Sequence, residues 1–165
     1  MIMKITNVKI KINKNLNNNV KADANILIDN CFAIKNIKVI IANNKIFTAM
    51  PSIKLENGKY VDVAHPINQE TRNMVNERII KKFYEEVLNT LNKYIKLPEG
   101  YYLGHDNLDI QKITLFKSDD NTSTGQGEVV SEYIVEGYKK ETLEELNEEI
   151  NEFLNGQASQ ENVNV

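Results

Sequence analysis

Asp62 and His65 stand three residues apart, a spacing at which a carboxylate can steer an imidazole for general acid–base work. Such chemistry needs a further partner, and no Ser or Cys nucleophile in a recognisable motif accompanies the pair. Pro66 follows His65 and restricts it to extended backbone, so His65 is expected to be a structural, hydrogen-bonded residue. His105, Asp106 and Asp109 carry suitable donor atoms for a metal, but one imidazole and two carboxylates are common in polar loops. Gly125-Gln126-Gly127 lacks the Lys-Ser/Thr ending and the following helix of a phosphate loop. Cys31 is the only cysteine, which excludes an internal disulfide and a cysteine-based metal cluster within one chain. Between Asn30 and Phe32 in a strand-like run, it is expected to be a small core or half-buried residue. No catalytic residue, cofactor or metal is expected, and the chain does not read as an enzyme.

Charge is the more informative chemistry. Residues 1–96 hold 14 Lys and 2 Arg against 8 acidic residues, a net +8, whereas residues 97–165 hold 4 Lys against 15 acidic residues, a net −11. This division suggests a basic binding module beside an acidic extension. Arg72 and Arg78 are the only arginines. Both fall with Lys81 and Lys82 in one helix-like stretch, where they could meet the phosphates of a nucleic acid.

These side chains need elements to position them. Residues 5–12 alternate apolar and polar, with Lys9 and Lys11 between apolar neighbours, and predict a strand. Residues 20–28, 31–41 and 46–50 predict three more, joined through Asp29-Asn30 and Asn43-Asn44, residues tolerant of positive φ. Pro51 closes the fourth strand, and the turn at Glu56-Asn57-Gly58-Lys59 returns through Tyr60–Val63 as a short fifth. Links this short predict an antiparallel sheet. Asn68 is the expected N-cap of a helix running to about Lys96, with Val75, Ile79, Phe83, Leu91 and Ile95 at helical spacing. Its apolar stripe is wide, since Ile79-Ile80 and Phe83-Tyr84 are apolar pairs, and predicts packing on a second chain as well as on its own sheet.

Leu97-Pro98-Glu99-Gly100 breaks that helix. Strands are expected at 108–117 and 128–138, a polar loop at 118–126 and an amphipathic helix at 141–154. The fold class is therefore α+β: a small antiparallel β-sheet followed by a long helix, with a C-terminal β-β-α extension. Residues 1–96 form one domain, residues 97–155 an acidic β-β-α extension packing on it, and residues 156–165 a disordered polar tail. At 165 residues and 41% hydrophobic content the chain can bury a modest core. No signal-peptide h-region follows Met1 and no apolar run is long enough to span a bilayer, so a cytoplasmic location without membrane is expected.

One stretch is specific beyond its elements. It combines Asn43-Asn44, Phe47-Thr48-Ala49-Met50-Pro51-Ser52, Asn57-Gly58, His65-Pro66-Ile67-Asn68 and Thr71-Arg72. Together with the opening Met3-Lys4-Ile5-Thr6-Asn7-Val8, this string resembles the SpoVG family of bacterial stage V sporulation and septation proteins, over residues 3–84. The resemblance implies a small antiparallel sheet followed by a helix, a homodimer, and regulatory proteins that bind DNA and RNA. It also implies that basic residues at the helix start contact nucleic acid, a position matched here by Thr71 and Arg72. Departures are visible. Ala42 and Lys45 stand where family members commonly have glycines beside the paired Asn, Ile53 with Lys54 stands in place of two basic residues, and Met74 replaces a second basic residue of the helix start.

The reading is a non-enzymatic nucleic-acid-binding regulator, with Thr71, Arg72, Lys54, Arg78, Lys81 and Lys82 as its contact residues and DNA, RNA or both as its partner. Sheet residues Lys9, Lys11 and Lys38 would help to place the phosphate backbone. The alternative is a protein-interaction adaptor in which nucleic-acid binding is weakened or lost. Ile53 and Met74 favour that alternative.

Overall fold

The computed structural model describes residues 2–118 and 127–161. The loop expected over 118–126 lies, beyond Ser118, outside the described residues, as do Gly125, Gln126 and the last four residues. The chain divides into two units, Met1–Val87 and Leu88–Val165.

Unit 1 opens with four strands, β1 (Ile5–Ile12), β2 (Val20–Ile28), β3 (Phe32–Ala42) and β4 (Lys45–Ala49), paired antiparallel in the order β1-β2-β3-β4. Each strand pairs with its neighbour in sequence: residues 13–19 join β1 to β2, and tight turns join β2 to β3 and β3 to β4. Asn43 and Asn44 both take positive φ (52° and 55°), as a two-residue hairpin turn of the right twist requires, and Asp29 and Asn30 do the same between β2 and β3 (48° and 57°). Asn fills this role where Gly would be the default, because its short polar side chain tolerates the left-handed region. Alternation then places Ala22, Ala24, Ile26, Ile37, Val39 and Ile41 on a buried face.

The expected fifth strand does not join this sheet. Pro51 interrupts the ladder, and β5 (Ser52–Lys54) pairs with β6 (Tyr60–Asp62) as a separate two-stranded ribbon whose six residues are all exposed. Cys31 is also exposed, against expectation. It belongs to the β2–β3 turn, where its amide donates to the Ile28 carbonyl at 3.0 Å, and β3 starts one residue later.

Helix α1 (Gln69–Tyr94) begins where Asn68 Oδ1 accepts the Thr71 amide at 2.8 Å, the expected N-cap. Val75, Ile79, Phe83 and Val87 are buried in unit 1, spaced four apart along the helix. Fully burying Phe83 contributes about 1.5–3 kcal/mol by area. Ile80, Tyr84 and Leu88, which broadened the stripe in sequence, are half-buried.

Unit 2 contains a strand the sequence reading lacked. β7 (Tyr101–His105), β8 (Lys112–Lys117) and β9 (Glu128–Ile134) form a three-stranded antiparallel sheet, followed by α2 (Lys140–Glu161). The extension is therefore β-β-β-α. β8 begins at Lys112 rather than Leu108 because Asp106 Oδ1 accepts the amides of Leu108 (2.7 Å) and Asp109 (3.0 Å) and holds those residues in a turn. β9 ends at Ile134, short of Tyr138. α2 continues to Glu161, through Gly156, where the disordered tail was expected to start. Leu103, Ile113, Leu115 and Tyr133 form the buried face of the sheet, and Leu143, Leu146 and Ile150 are the buried positions of α2.

Candidate nucleic-acid interface

The six predicted contact residues fall into three settings. The first is the start of α1. Thr71 and Arg72 are half-buried there, and Arg72 Nη2 donates to the Pro66 carbonyl at 3.4 Å. Gln69 Nε2 donates to Asn73 Oδ1 at 2.7 Å, one turn on. The helix start is thus partly occupied with holding itself, and Arg72 ties the entering chain to the first turn.

The second setting brings residues together. Arg78, Lys81 and Lys82 of α1, with Thr6, Asn7 and Val8 of β1, line an open depression of about 170 Å³, and Glu85 closes its rim. Helical geometry explains the first half of this: positions 78, 81, 82 and 85 are three or four apart and share a face. Sheet order explains the second, since β1 is an edge strand and its Thr6–Val8 backbone is open on one side. Arg78 and Lys81 are exposed, whereas Lys82 pairs with Glu85 at 3.3 Å. Three cations beside one carboxylate leave an excess of positive charge. Amide and hydroxyl groups from Asn7 and Thr6 add neutral hydrogen-bonding capacity, although Thr6 Oγ1 already donates to the Leu27 carbonyl at 3.2 Å. The arrangement suits a phosphate oxygen.

Lys54 occupies the third setting, on the exposed ribbon, where its Nζ lies 6.0 Å from the centroid of the Tyr60 ring across the β5–β6 pair. The structure therefore gathers Arg78, Lys81 and Lys82, and leaves Lys54 on a separate sheet. The sheet lysines also divide. Lys9 and Lys11 are exposed on β1, but Lys38 forms an ion pair with Asp23 across the β2–β3 ladder. Lys21 Nζ is taken by the carbonyls of Leu16 (2.7 Å) and Asn18 (2.8 Å).

Two parts of this region carried no signal in sequence. Thr6 and Asn7 line the depression because β1 lies at the sheet edge, a fact of topology rather than of local composition. Asn76 is the other: it bonds Thr48 Oγ1 and fastens α1 to β4.

The other sites considered take simple forms. His65 is exposed, and among the described residues it has no hydrogen-bond partner, so the structural bond expected of it is not made. Asp62 is exposed at the end of β6. Among the described residues no group of three or more His, Cys, Asp or Glu side chains could hold a metal ion, and the Asp106 carboxylate caps a turn. No helix among the described residues is long and apolar enough to cross a membrane.

A small antiparallel meander with one long capped helix and a basic depression between them defines the class. A model of the SpoVG family matches residues 3–85, and the chain belongs to that family. It is 45% identical over 87 residues to a protein of Caldicellulosiruptor bescii named "Putative septation protein SpoVG", a match spanning 53% of this chain and 97% of the relative. Relatives of the same name from Bdellovibrio bacteriovorus (41% over 92 residues; 55% of this chain, 82% of the relative) and Phytoplasma australiense (44% over 88 residues; 53% and 88%) match similarly. The family match ends at residue 85, two residues before unit 1 does.

Proposed function

We propose that the chain is a cytoplasmic, non-enzymatic regulator of the SpoVG type, linked to septation or sporulation, and that unit 1 binds nucleic acid. The depression shared by Arg78, Lys81 and Lys82 with the edge of β1 carries this reading. Cations gathered at an open strand edge can neutralise phosphates and release their counterions, which gives affinity without sequence preference. In this reading Arg72 and Thr71 at the helix start make the base contacts, and Lys54 on the ribbon adds a further phosphate contact. The test is an electrophoretic shift with mixed DNA and RNA pools across a salt series. Binding should weaken steeply as salt rises, and Arg78→Ala with Lys81→Ala should flatten the dependence by about one counterion for each phosphate no longer neutralised. Absence of any shift at low salt would end this reading.

A homodimer is part of the same proposal, but its expected surface changes. No α1 residue is among the exposed large hydrophobics, whereas Ile53, Tyr60, Val61 and Val63 of the ribbon region are 48–68% exposed. A second copy covering the ribbon about a twofold axis would bury them. Light scattering of the parent against Ile53→Lys tests this. A monomer at high micromolar concentration in both counts against a dimer.

A further inference from the structure

We propose that the open face of the unit 2 sheet docks an extended segment of another protein in which lysine or arginine alternates with apolar residues along one side of the strand. The proposal is independent of the reading of unit 1. Alternation buries Leu103, Ile113, Leu115 and Tyr133 on one face of β7-β8-β9, and leaves the opposite face open. Cross-strand register arranges that open face in rows. Tyr102, Phe116 and Val129 form the first, Gly104, Thr114 and Glu132 the second, and Lys112 with Ile134 the third.

The first row is an aromatic platform. Tyr102 and Phe116 stack with centroids 5.1 Å apart and planes 13° from parallel. Gly104 keeps it flat: a Cβ there would come within 2.8 Å of Phe116 Cε2, so the ring lies over the glycine. Each ring covers a face of the other, so the pair offers apolar area at the sheet surface, with Tyr102 38% exposed. The other rows frame a depression of about 410 Å³ lined by Asp106, Thr114, Glu132 and Ile134, among others. Ile134 is 78% exposed and Val129 55% exposed, an apolar content that an ordinary solvated face does not need.

Charge selects the occupant. Unit 2 carries 6 Lys against 15 acidic residues, a net −9, which repels a polyanion and attracts a polycation. On the face itself Lys112 is drawn to Asp109 at 3.8 Å, while Glu132 makes no ion pair among the described residues. Spacing selects the shape. Phe116, Thr114 and Lys112 are two residues apart along β8, about 6.6 Å per step, which is the interval between same-side residues of an extended chain. A segment lying along β9 would set the cation of its facing side against Glu132, and the apolar residues two positions to either side against Val129 and Ile134.

The test uses the full chain and a fluorescein-labelled ten-residue peptide in which arginine and valine alternate at every second position with serine between them, followed by anisotropy at low ionic strength. Glu132→Lys should weaken binding by about five-fold or more, and Ile134→Ser by about three-fold. Both positions are exposed or half-exposed at the sheet surface, so the variants should fold. Glu148→Lys makes the same charge change at an exposed position of α2 and should keep affinity within about two-fold. Equal losses from Glu132→Lys and Glu148→Lys would reduce the effect to net charge and overturn the proposal. Equal binding of a glutamate–valine peptide, or none of the arginine–valine peptide, would also overturn it. In amide NMR spectra the peptide should shift Thr114, Glu132 and Ile134. If an oligo(dT) strand shifts those amides and the peptide does not, the face is not a protein-docking surface.

Discussion

Unit 1 and unit 2 are built alike and charged oppositely. Each has an antiparallel meander with one buried face, and each buries one stripe of a helix. Unit 1 carries 14 Lys and Arg against 8 Asp and Glu, a net +6, and unit 2 is at −9. The cores explain why this is permitted. Val75, Ile79, Phe83 and Val87 in one, and Leu143, Leu146 and Ile150 in the other, contain no charge, so the exposed positions are free to take either sign. The units differ further in what they leave uncovered. Unit 1 exposes a two-stranded ribbon and a basic depression, and unit 2 exposes an aromatic sheet face beside carboxylates.

The comparison breaks first at the cores. Phe83→Ala should destabilise unit 1 by about 3–5 kcal/mol and Leu143→Ala should destabilise unit 2 by about 2–5 kcal/mol, read by urea denaturation. A loss below about 1 kcal/mol at either position would mean that the stripe is not the core of its unit.

Next in size is the helix start. Arg72→Ala should weaken nucleic-acid binding by about 1–3 kcal/mol and relax sequence preference if the guanidinium reads a base edge. If its bond to the Pro66 carbonyl is its whole role, the variant will lose stability and keep its affinity. Lys81→Ala should instead weaken all sequences about equally, as removal of a phosphate-binding cation does.

Two tyrosines of unit 2 sharpen the contrast between satisfied and unsatisfied hydroxyls. Tyr138 Oη donates to the Ile110 carbonyl at 2.6 Å and is buried, so Tyr138→Phe should cost about 1–3 kcal/mol. Burial, and then the Asp109 carboxylate, raise the Tyr138 phenol above its ordinary range. The sign follows: above about pH 10 the unfolded phenol ionises while the folded one keeps its proton, so stability falls with rising pH until the folded group titrates. Tyr138→Phe should remove up to about 1.4 kcal/mol of that fall per pH unit, measured by denaturation between about pH 9 and 11. Tyr133 Oη is buried without a hydrogen-bond partner among the described residues. Tyr133→Phe should therefore be neutral or slightly stabilising, within about 1 kcal/mol. A clear loss there would reveal a partner for the hydroxyl.

Unit 1 was largely legible in the sequence because its signals are local. Alternation marked β1 to β4, Asp29-Asn30 and Asn43-Asn44 marked the turns that join β2, β3 and β4, and Asn68 marked the start of α1. The ribbon was misjudged because spacing shows that two strands pair and not which sheet they join. β7 was missed because Gly104 weakens its pattern, and the residue that compensates, Phe116, lies on another strand. The helix residues of the depression were legible, but Thr6 and Asn7 depended on which strand formed the sheet edge. Apolar or rigid neighbours in sequence suggest that Cys31 and His65 are held residues, but each lies outside a strand in a segment that faces solvent.

The meander of unit 1 also has a direction in time. Every pairing among β1 to β4 joins strands consecutive in the chain, and all are complete by Ala49. A ribosome releasing the chain from its N-terminus therefore delivers each strand beside a partner already made, with only a short loop to close. Residues 69–87, which supply Phe83 and its neighbours to the same core, follow later. During that interval Ile26, Ile37 and Val39 have a ladder but no cover, so the nascent sheet is exposed to wrong partners until the helix arrives.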